Sequence, residues 1–213
     1  MAKNKPWARS RRGRAAQGSR ERRKVVIFCE DTKSSRLYLK SFPVDRERFE
    51  VSVLGTGMNT DSLVEEAVRR VKQATGRGVI FSEIWCVFDR DSFPESNYIR
   101  AFQLADQAGI KIAWANEAFE LWYILHFDYL ETGLSRTDYK QKLKERGLEY
   151  DKADEGIYGK LRDRQETAIK NARRLESYWY QNRSRFPERE NPSTSVHRLV
   201  SFLNELSELP KVN

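Results

Sequence analysis

Short apolar runs alternate with longer segments of helical periodicity between residues 25 and 127 of this chain. The runs are five or six residues long, which is typical of strands buried within a sheet. The segments between them carry apolar residues three and four positions apart, which indicates amphipathic helices. Strands that alternate with helices form a mostly parallel sheet covered by helices, so the pattern predicts an α/β fold with a mostly parallel four-stranded sheet. The predicted strands are residues 25–29, 49–54, 84–88 and 110–114, and the predicted helices are residues 34–42, 63–71, 99–108 and 119–125.

After residue 130 the sequence changes to strongly charged segments that keep a helical periodicity. Residues 134–146 and 161–180 are polar helices by this criterion, and residues 196–206 carry an apolar stripe. A helix with an apolar stripe must bury it against another element. We therefore expect a helical appendage over residues 131–213, packed on an α/β domain that spans residues 25–130.

Acidic residues follow the predicted strands at the points where the strands end. Asp89 and Asp91 come after the third strand, and Glu30 comes after the first. The carboxyl ends of parallel strands share one edge of the sheet, where open α/β sheets bind their ligands. Carboxylate oxygens are the ligands that Mg²⁺ prefers. The sequence therefore predicts a metal site at this edge, of the kind that serves phosphotransfer or nuclease chemistry; the alternatives are a solvated turn after the third strand and a helix cap at Glu30.

Five further residues near these positions are weaker candidates. Glu120, and less so Glu117, would complete a second metal site, although Glu117 would equally suit the N-terminal end of the following helix. His126 is either a proton shuttle or a buried, hydrogen-bonded histidine. Lys33 and Arg90 would hold a scissile phosphate, or would only neutralise crowded carboxylates.

The basic charge of the chain is concentrated at its beginning. Residues 1–24 hold ten Lys or Arg residues and one acid, a formal charge of +9, whereas the whole chain carries +8. A segment with so few large apolar residues cannot bury enough surface to order itself. We expect a flexible basic tail that binds nucleic-acid phosphates with release of counterions; the alternative is a terminus that only increases solubility. The arginines expected to bind nucleic acid are Arg11, Arg12, Arg14, Arg22 and Arg23.

Several classes of protein are disfavoured by what the sequence contains. No run approaches the roughly 20 apolar residues that a membrane span requires, and no apolar stretch typical of a secretory signal precedes Val25. Cys29 and Cys86 both fall in predicted buried strands, so they are expected to be reduced core residues and not a disulfide. No spacing of Cys and His suits zinc. We expect a cytoplasmic protein with no membrane contact.

Four segments resemble, in order, the RloB family (RloB/AbiLii-like proteins): residues 29–38, 87–91, 116–127 and 191–197. The resemblance extends over about residues 25–205. That family is similar to the Toprim fold, whose signature is a Glu after the first strand and an Asp-x-Asp after a later one. The resemblance implies a Toprim-like Rossmannoid domain in which Glu30, Asp89 and Asp91 are the catalytic residues and the ligands of Mg²⁺ or Mn²⁺.

The resemblance also implies a function. Proteins of this kind are similar to the nuclease effectors of anti-phage, abortive-infection or restriction-associated systems, which cut RNA (tRNA among the candidates) or DNA and work with an ABC-type ATPase partner. Glu30 would then handle the proton of the attacking water or of the leaving oxygen. A homodimer is compatible with this expectation.

The first motif departs from the family pattern, which has Cys-Glu-Gly followed by Thr-Glu. Asp31 stands in place of the glycine, and Ser34 and Ser35 stand in place of the Thr-Glu pair. These changes favour an alternative, a non-catalytic module that keeps the fold to bind nucleic acid or to dock on the ATPase. A phosphatase with an aspartyl nucleophile is a more distant alternative, because its Asp-x-Asp pair would follow the first strand.

Overall fold

A computed structural model describes residues 22–90, 94–182 and 189–208. Within these ranges strands and helices alternate as far as the fourth strand, and mostly helices follow. The strands are β1 (Arg23–Cys29), β2 (Phe49–Gly55), β3 (Phe81–Asp89), β4 (Lys111–Asn116) and β5 (Ser193–Thr194). The helices are α1 (Ser34–Lys40), α2 (Thr60–Thr75), α3 (Glu95–Ala108), α4 (Glu120–Ile124), α5 (Arg136–Glu145), α6 (Ile157–Leu161), α7 (Gln165–Gln181) and α8 (Val196–Glu208), with a 3-10 turn at Arg162–Arg164.

The five strands form one sheet in the order β2-β1-β3-β4-β5. The first four strands pair in parallel, which confirms the predicted α/β class and the mostly parallel sheet. The predicted number of strands was one short, because β5 pairs antiparallel with β4 through Asn116–Ser193 and Ala115–Thr194. Two residues are too few to show a periodicity, so this strand leaves no pattern in the sequence.

Alternate residues of β1 belong to two separate apolar cores. Val25, Ile27 and Cys29 point to the face that α1, α4 and the later helices cover. Val26 and Phe28 point to the opposite face, which α2 and α3 cover. The two-residue repeat of a strand explains why β1 is apolar along its whole length: both of its faces are buried.

Helices from the second half of the chain share a core with the first half. Tyr139, Leu161, Leu175 and Leu199 are fully buried in the cluster that also contains β1 and α1. The predicted helix over residues 161–180 is divided, since α6 ends at Leu161 and α7 begins at Gln165 after the 3-10 turn. The proposed division of the chain at residue 130 stays a prediction.

The order of the strands opens a crevice between the carboxyl ends of β1 and β3. β2 lies on one side of β1 and β3 on the other. The first crossover helix, α1, packs in one apolar core and the second, α2, packs in the opposite core. Such a reversal of winding leaves the ends of the two neighbouring strands uncovered, which is where open α/β sheets bind ligands. The topology therefore points to the ends of β1 and β3 as the candidate site.

The structure also bears on two smaller predictions, which concern the two cysteines and membrane-spanning helices. Cys29 and Cys86 are buried and not disulfide-bonded, as predicted. Among the helices of the described ranges, none combines the length and the apolar character needed to cross a membrane.

Candidate active site

Glu30 and Asp89 meet at the crevice between β1 and β3. The backbone N–H of Glu30 donates to the carbonyl of Val87 (2.9 Å), which continues the ladder one residue beyond β1. The backbone N–H of Asp89, the last residue of β3, in turn donates to Oε2 of Glu30 (3.2 Å). The parallel register of the two strands thus brings together two carboxylates that lie 59 positions apart in the sequence.

Both carboxylates line a small cavity of about 90 Å³. Its walls come from three parts of the chain: the ends of β1 and β3, the start of α1, and the segment that follows residue 130. The lining residues that carry charge or a hydroxyl group are Glu30, Asp31, Ser34, Ser35, Asp89, Arg136 and Lys152.

This environment changes the acidity of Asp89. Burial raises the pKa of Asp89 well above its ordinary value, and the neighbouring charge of Glu30 raises it further. Nη2 of Arg136 lies 3.1 Å from Oδ2 of Asp89 and lowers this pKa in part. The side chain of Asp89 keeps 23% of its surface exposed, so it remains accessible from the cavity. Crowded carboxylates with a raised pKa are typical of functional sites.

Glu120 lies close enough to Asp89 for its charge to act on this carboxyl group, although it does not line the cavity. It is the first residue of α4, only 3% of its surface is exposed, and its charge also raises the pKa of Asp89. The hydroxyl of Tyr150 donates to Oε1 of Glu120 (2.9 Å). Burial and the charge of Glu120 raise the pKa of Tyr150, so the phenol stays protonated and donates.

Asp31, which replaces the family's glycine, is bonded to the start of α1. Its carboxylate accepts the backbone N–H groups of Lys33 (3.2 Å) and Ser35 (3.2 Å). It also accepts the hydroxyl of Ser35 (3.0 Å) and that of Ser34. The three departures from the family pattern therefore form one hydrogen-bonded unit, in which Asp31 satisfies donors at the N-terminal end of α1.

A tight turn after β2 holds the backbone beside Glu30 and Asp31 in place. The N–H of Gly57 donates to the carbonyl of Glu30, and that of Thr56 donates to the carbonyl of Cys29, each at 2.9 Å. A Cβ atom on Gly55 would come within 2.7 Å of the Asp31 carbonyl oxygen. The glycine is therefore required for the close approach of the two loops.

None of the five weaker candidates lines the cavity. Lys33 is exposed, and the guanidinium of Arg90 lies over the ring of Tyr98 at 5.5 Å, on the side of α3. Glu117 is half-buried directly after β4. His126 belongs to the core, where only 1% of its surface is exposed and where burial lowers its pKa to about 4.

Of the arginines predicted to bind nucleic acid, the two described ones, Arg22 and Arg23, are not near the cavity. Arg22 pairs with Glu50 (3.5 Å) and Arg23 begins β1, so both lie at the opposite end of this strand from Glu30. Seven residues of strand, at about 3.3 Å each, separate the two ends by roughly 20 Å. Arg11, Arg12, Arg14 and the predicted metal ligand Asp91 lie outside the described residues.

Arg136, Lys152 and Tyr150 were not predicted as site residues. All three come from the segment after residue 130: Arg136 and Lys152 line the cavity, and Tyr150 donates to Glu120. A local signal does exist for Arg136, because Ser135 and Asp138 form a capping box that starts α5 at this arginine. The capping box predicts where the helix starts, but not which distant carboxylate its first residue contacts.

The donor set fits a hard divalent cation. Glu30 and Asp89 supply carboxylate oxygens, which Mg²⁺ and Mn²⁺ prefer, and a cation between them would relieve the repulsion that raises the pKa of Asp89. Within residues 22–90, 94–182 and 189–208, no group of three His, Cys, Asp or Glu side chains is arranged to hold a metal ion. The third predicted ligand, Asp91, is not among these residues.

A larger groove of about 940 Å³ lies along α5 and the segment after it. Its charged residues are three lysines and three acids, so the groove has no net charge. The lysines are Lys140, Lys144 and Lys160, and the acids are Glu149, Asp151 and Asp154. The smaller cavity, with its crowded carboxylates, is the better candidate for chemistry.

Comparisons with known proteins agree with the resemblance seen in the sequence. A family model described as RloB-like protein matches residues 25–203, which is most of the chain and includes every described residue that lines the cavity. Comparison with curated proteins and with solved structures gave no match.

Proposed function

The chain belongs to the RloB-like protein family, and from this premise we propose that it is a metal-dependent nuclease of the Toprim type. The observation that carries the proposal is the contact between Glu30 and Asp89 at the crevice of the sheet. The two carboxylates share one small cavity and are joined through a 3.2 Å hydrogen bond from the backbone of Asp89. Their position is the one at which open α/β sheets bind ligands.

Each residue has a role in the proposed reaction. Asp89 and Asp91, together with Glu30, hold Mg²⁺ or Mn²⁺, which when bound supplies stabilisation of negative charge on the phosphate and lowers the pKa of a coordinated water. Glu30 moves the proton of the attacking water or of the leaving oxygen. Glu120, fixed by Tyr150, keeps a further negative charge beside this group.

We extend the proposal to the biological role that the family resemblance implies. The protein acts in the cytoplasm as the effector of an anti-phage, abortive-infection or restriction-associated system, with an ABC-type ATPase as its partner. Its substrate is RNA, with tRNA as the first candidate, or DNA. The basic residues of the tail contact nucleic acid or the partner, and a homodimer is compatible with this arrangement.

The direct test is cleavage of total tRNA and of plasmid DNA by the purified full chain, with Mg²⁺, with Mn²⁺ and with EDTA. We expect cutting that depends on the metal and disappears in Asp89→Ala. Metal-dependent cutting by both proteins would show that Asp89 is not part of the site. The substrate that is cut identifies the class of nucleic acid.

The isosteric variant Asp89→Asn controls for folding. Because the pKa of Asp89 is raised in the folded state, its charge costs stability as pH rises through that pKa, and the cost is absent below the unfolded pKa of about 3.9. We expect Asp89→Asn to unfold at a higher urea concentration than the wild type at pH 7, with the difference disappearing near pH 4. Each unit of raised pKa corresponds to about 1.4 kcal/mol. A variant less stable than the wild type at pH 7 would contradict this.

A non-catalytic binding module is the second candidate. It is favoured by the bonding of Asp31, whose carboxylate serves the start of α1. Isothermal titration of the wild type with Mn²⁺ separates the two candidates if no cutting is seen. Binding that Asp89→Ala abolishes favours a nuclease held inactive until its partner releases it, whereas no binding favours the module.

A further inference from the structure

Two cations share the small cavity with the carboxylates, and both come from the second half of the chain. Arg136 is the first residue of α5, and Lys152 lies between α5 and α6. The first half of the chain supplies three acids to the same cavity: Glu30, Asp31 and Asp89. The cavity thus has an acidic wall built by the sheet and α1, and a basic wall built by the later segment.

Arg136 is held in place by the cap of its helix. The Ser135 hydroxyl accepts the N–H of Asp138 (3.2 Å), and Oδ2 of Asp138 accepts the N–H of Ser135 (3.2 Å). The Arg136 guanidinium lies 3.1 Å from Asp89, and 37% of the side chain remains exposed. Arginine presents donors in a planar fork that matches two oxygens of a phosphate.

Lys152 is presented to the cavity by a local turn. Oδ1 of Asp151 accepts the N–H of Ala153 (2.7 Å), a contact that closes the backbone around the lysine between them. Lys152 is exposed, and its ammonium group makes no ion pair with any residue in the described parts of the chain. A lysine that lines a cavity with three acids, yet pairs with none of them, is not explained as their counter-ion.

The charges of the acidic wall would repel a nucleic-acid phosphate. Two like charges within about 4 Å repel by roughly 4 kcal/mol near a protein surface. A phosphodiester therefore enters this cavity only where cations compensate for the acids. Lys33 and Arg90, the cations suggested by the sequence, do not line the cavity, so among the described residues Arg136 and Lys152 are the side chains in position to do so.

We propose that Arg136 and Lys152 bind the phosphodiester group of a nucleic-acid strand in this cavity. Arg136 would bind it beside Asp89, and Lys152 would bind it from the segment between α5 and α6. The inference rests on the proposed function, since it places the substrate next to Glu30 and Asp89. The helices after residue 130 thereby form half of the site, in addition to covering one face of the sheet.

The test measures binding of fluorescent single-stranded 20-nucleotide RNA and DNA by anisotropy, in Ca²⁺ and over a series of KCl concentrations. The proteins are the full-length wild type, Arg136→Gln, Lys152→Gln and the matched control Lys170→Gln. Lys170 is an exposed lysine of α7 that lines a different groove. Residues 1–24 are the same in all four proteins, so differences between them report on the substituted position.

We expect Arg136→Gln to weaken binding by about 10- to 100-fold, as for loss of a charge-assisted hydrogen bond. Lys152→Gln should weaken binding by less, about 3- to 10-fold, because the lysine is exposed. Each variant should reduce the slope of log affinity against log salt by about 0.7, the change for one phosphate contact on a single strand. Lys170→Gln should change neither quantity, and Arg136→Lys should restore part of the affinity. The preference between the RNA and the DNA strand identifies the substrate class.

A counter-ion role for Arg136 predicts the opposite pattern. Removing a cation beside Asp89 would then tighten the binding of Mn²⁺, measured by isothermal titration, and leave strand affinity and salt slope unchanged. That result, or no binding of either strand by the wild type, overturns the proposal. Circular dichroism melts of each variant show that a loss of binding is not a loss of folding.

The outcome is independent of whether the protein cuts. Weakened binding and a reduced slope in both variants support the proposal even if the wild type cleaves nothing, in which case the nuclease alone is rejected. Unchanged binding and slope in both variants overturn the proposal even if the wild type cleaves well.

Discussion

The two faces of the sheet differ in how many polar side chains they bury. The face covered by α2 and α3 is an apolar core of residues such as Phe28, Leu63 and Phe88. The face covered by α1 and the later helices contains buried polar groups among its apolar residues, including Glu120, His126 and Gln165. Of the eleven buried polar or charged residues within the described ranges, Thr60 alone belongs to α2 or α3.

The difference corresponds to how far apart in sequence the packed elements are. α2 and α3 lie next to the strands that they cover, as in any βαβ unit, and bury simple apolar stripes. The later helices reach the other face from distant positions in the sequence, 47 residues apart for Arg136 and Asp89 and 127 for Gln165 and Tyr38, and side chains join them to it. The hydroxyl of Tyr38, for example, accepts the amide N–H of Gln165 (3.0 Å), and Asn204 donates to the Gln165 carbonyl oxygen (2.7 Å). The candidate site lies at the edge of this polar face.

If the polar face carries the function, substitution of its carboxylates should have a larger effect on the cleavage rate than any other change. We expect Glu30→Gln to lower the cleavage rate by about 10²- to 10⁴-fold, the contribution typical of a general acid or base. Single-turnover cleavage of the substrate found by the tRNA and plasmid test measures this rate. Glu65→Gln, which changes an exposed acid of α2, is the matched control and should keep full activity. If Glu65→Gln lost activity and Glu30→Gln kept it, the function would belong to the apolar face instead.

Substitutions in the apolar face should change the stability of the protein and not its cleavage rate. Leu63 is fully buried in α2, so Leu63→Ala should lower the free energy of unfolding by about 2–5 kcal/mol. Urea unfolding followed by circular dichroism measures the change. Gln73→Ala, at an exposed position of the same helix, should stay within about 0.5 kcal/mol of the wild type. Cleavage per folded molecule should be the same in both variants; a specific loss of activity in Leu63→Ala would show that the two faces are coupled.

The polar face should also make the fold sensitive to acid. Burial lowers the pKa of His126 to about 4, whereas an unfolded histidine titrates near 6.5. The unfolded chain therefore binds this proton first as pH falls, so stability is lost between about pH 6.5 and pH 4, by on the order of 3 kcal/mol. The raised pKa of Asp89 acts in the opposite direction over part of this range, so the contribution of His126 is measured as a difference between the wild type and a variant, by urea unfolding at pH 7 and at pH 4.5.

The variant His126→Asn isolates the contribution of this residue. Nδ1 of His126 lies 2.9 Å from the carbonyl of Trp122, a contact that the amide of asparagine can replace. Burial also lowers the pKa of His197, but that effect is common to both proteins. We expect the loss between pH 7 and pH 4.5 to be smaller in the variant; an equal loss would assign the acid sensitivity to other groups.

The same contrast decides what the sequence could predict. The four parallel strands and the helices between them follow from local periodicity, as does the meeting of Glu30 and Asp89, because parallel strands bring their ends together. Arg136 and Lys152 line the cavity because distant segments pack together, and no local pattern in the sequence encodes this placement. The role of Asp31 was missed although its partners are local, since they are the hydroxyls of Ser34 and Ser35, three and four residues further along the chain.

The capping box of α5 provides the most sensitive test of this reasoning, because it is a local feature that positions a distant contact. Ser135→Ala removes the cap and should lower stability by about 1 kcal/mol, measured by urea unfolding, whereas Ser135→Asp keeps an acceptor and should lose less. The first turn of α5 would then fray at Arg136, so strand binding should weaken by less than in Arg136→Gln. If Ser135→Ala loses stability but binds as tightly as the wild type, the ion pair with Asp89 holds Arg136 in place without the cap. In that case the non-local contact, and not the sequence signal, fixes the basic wall of the cavity.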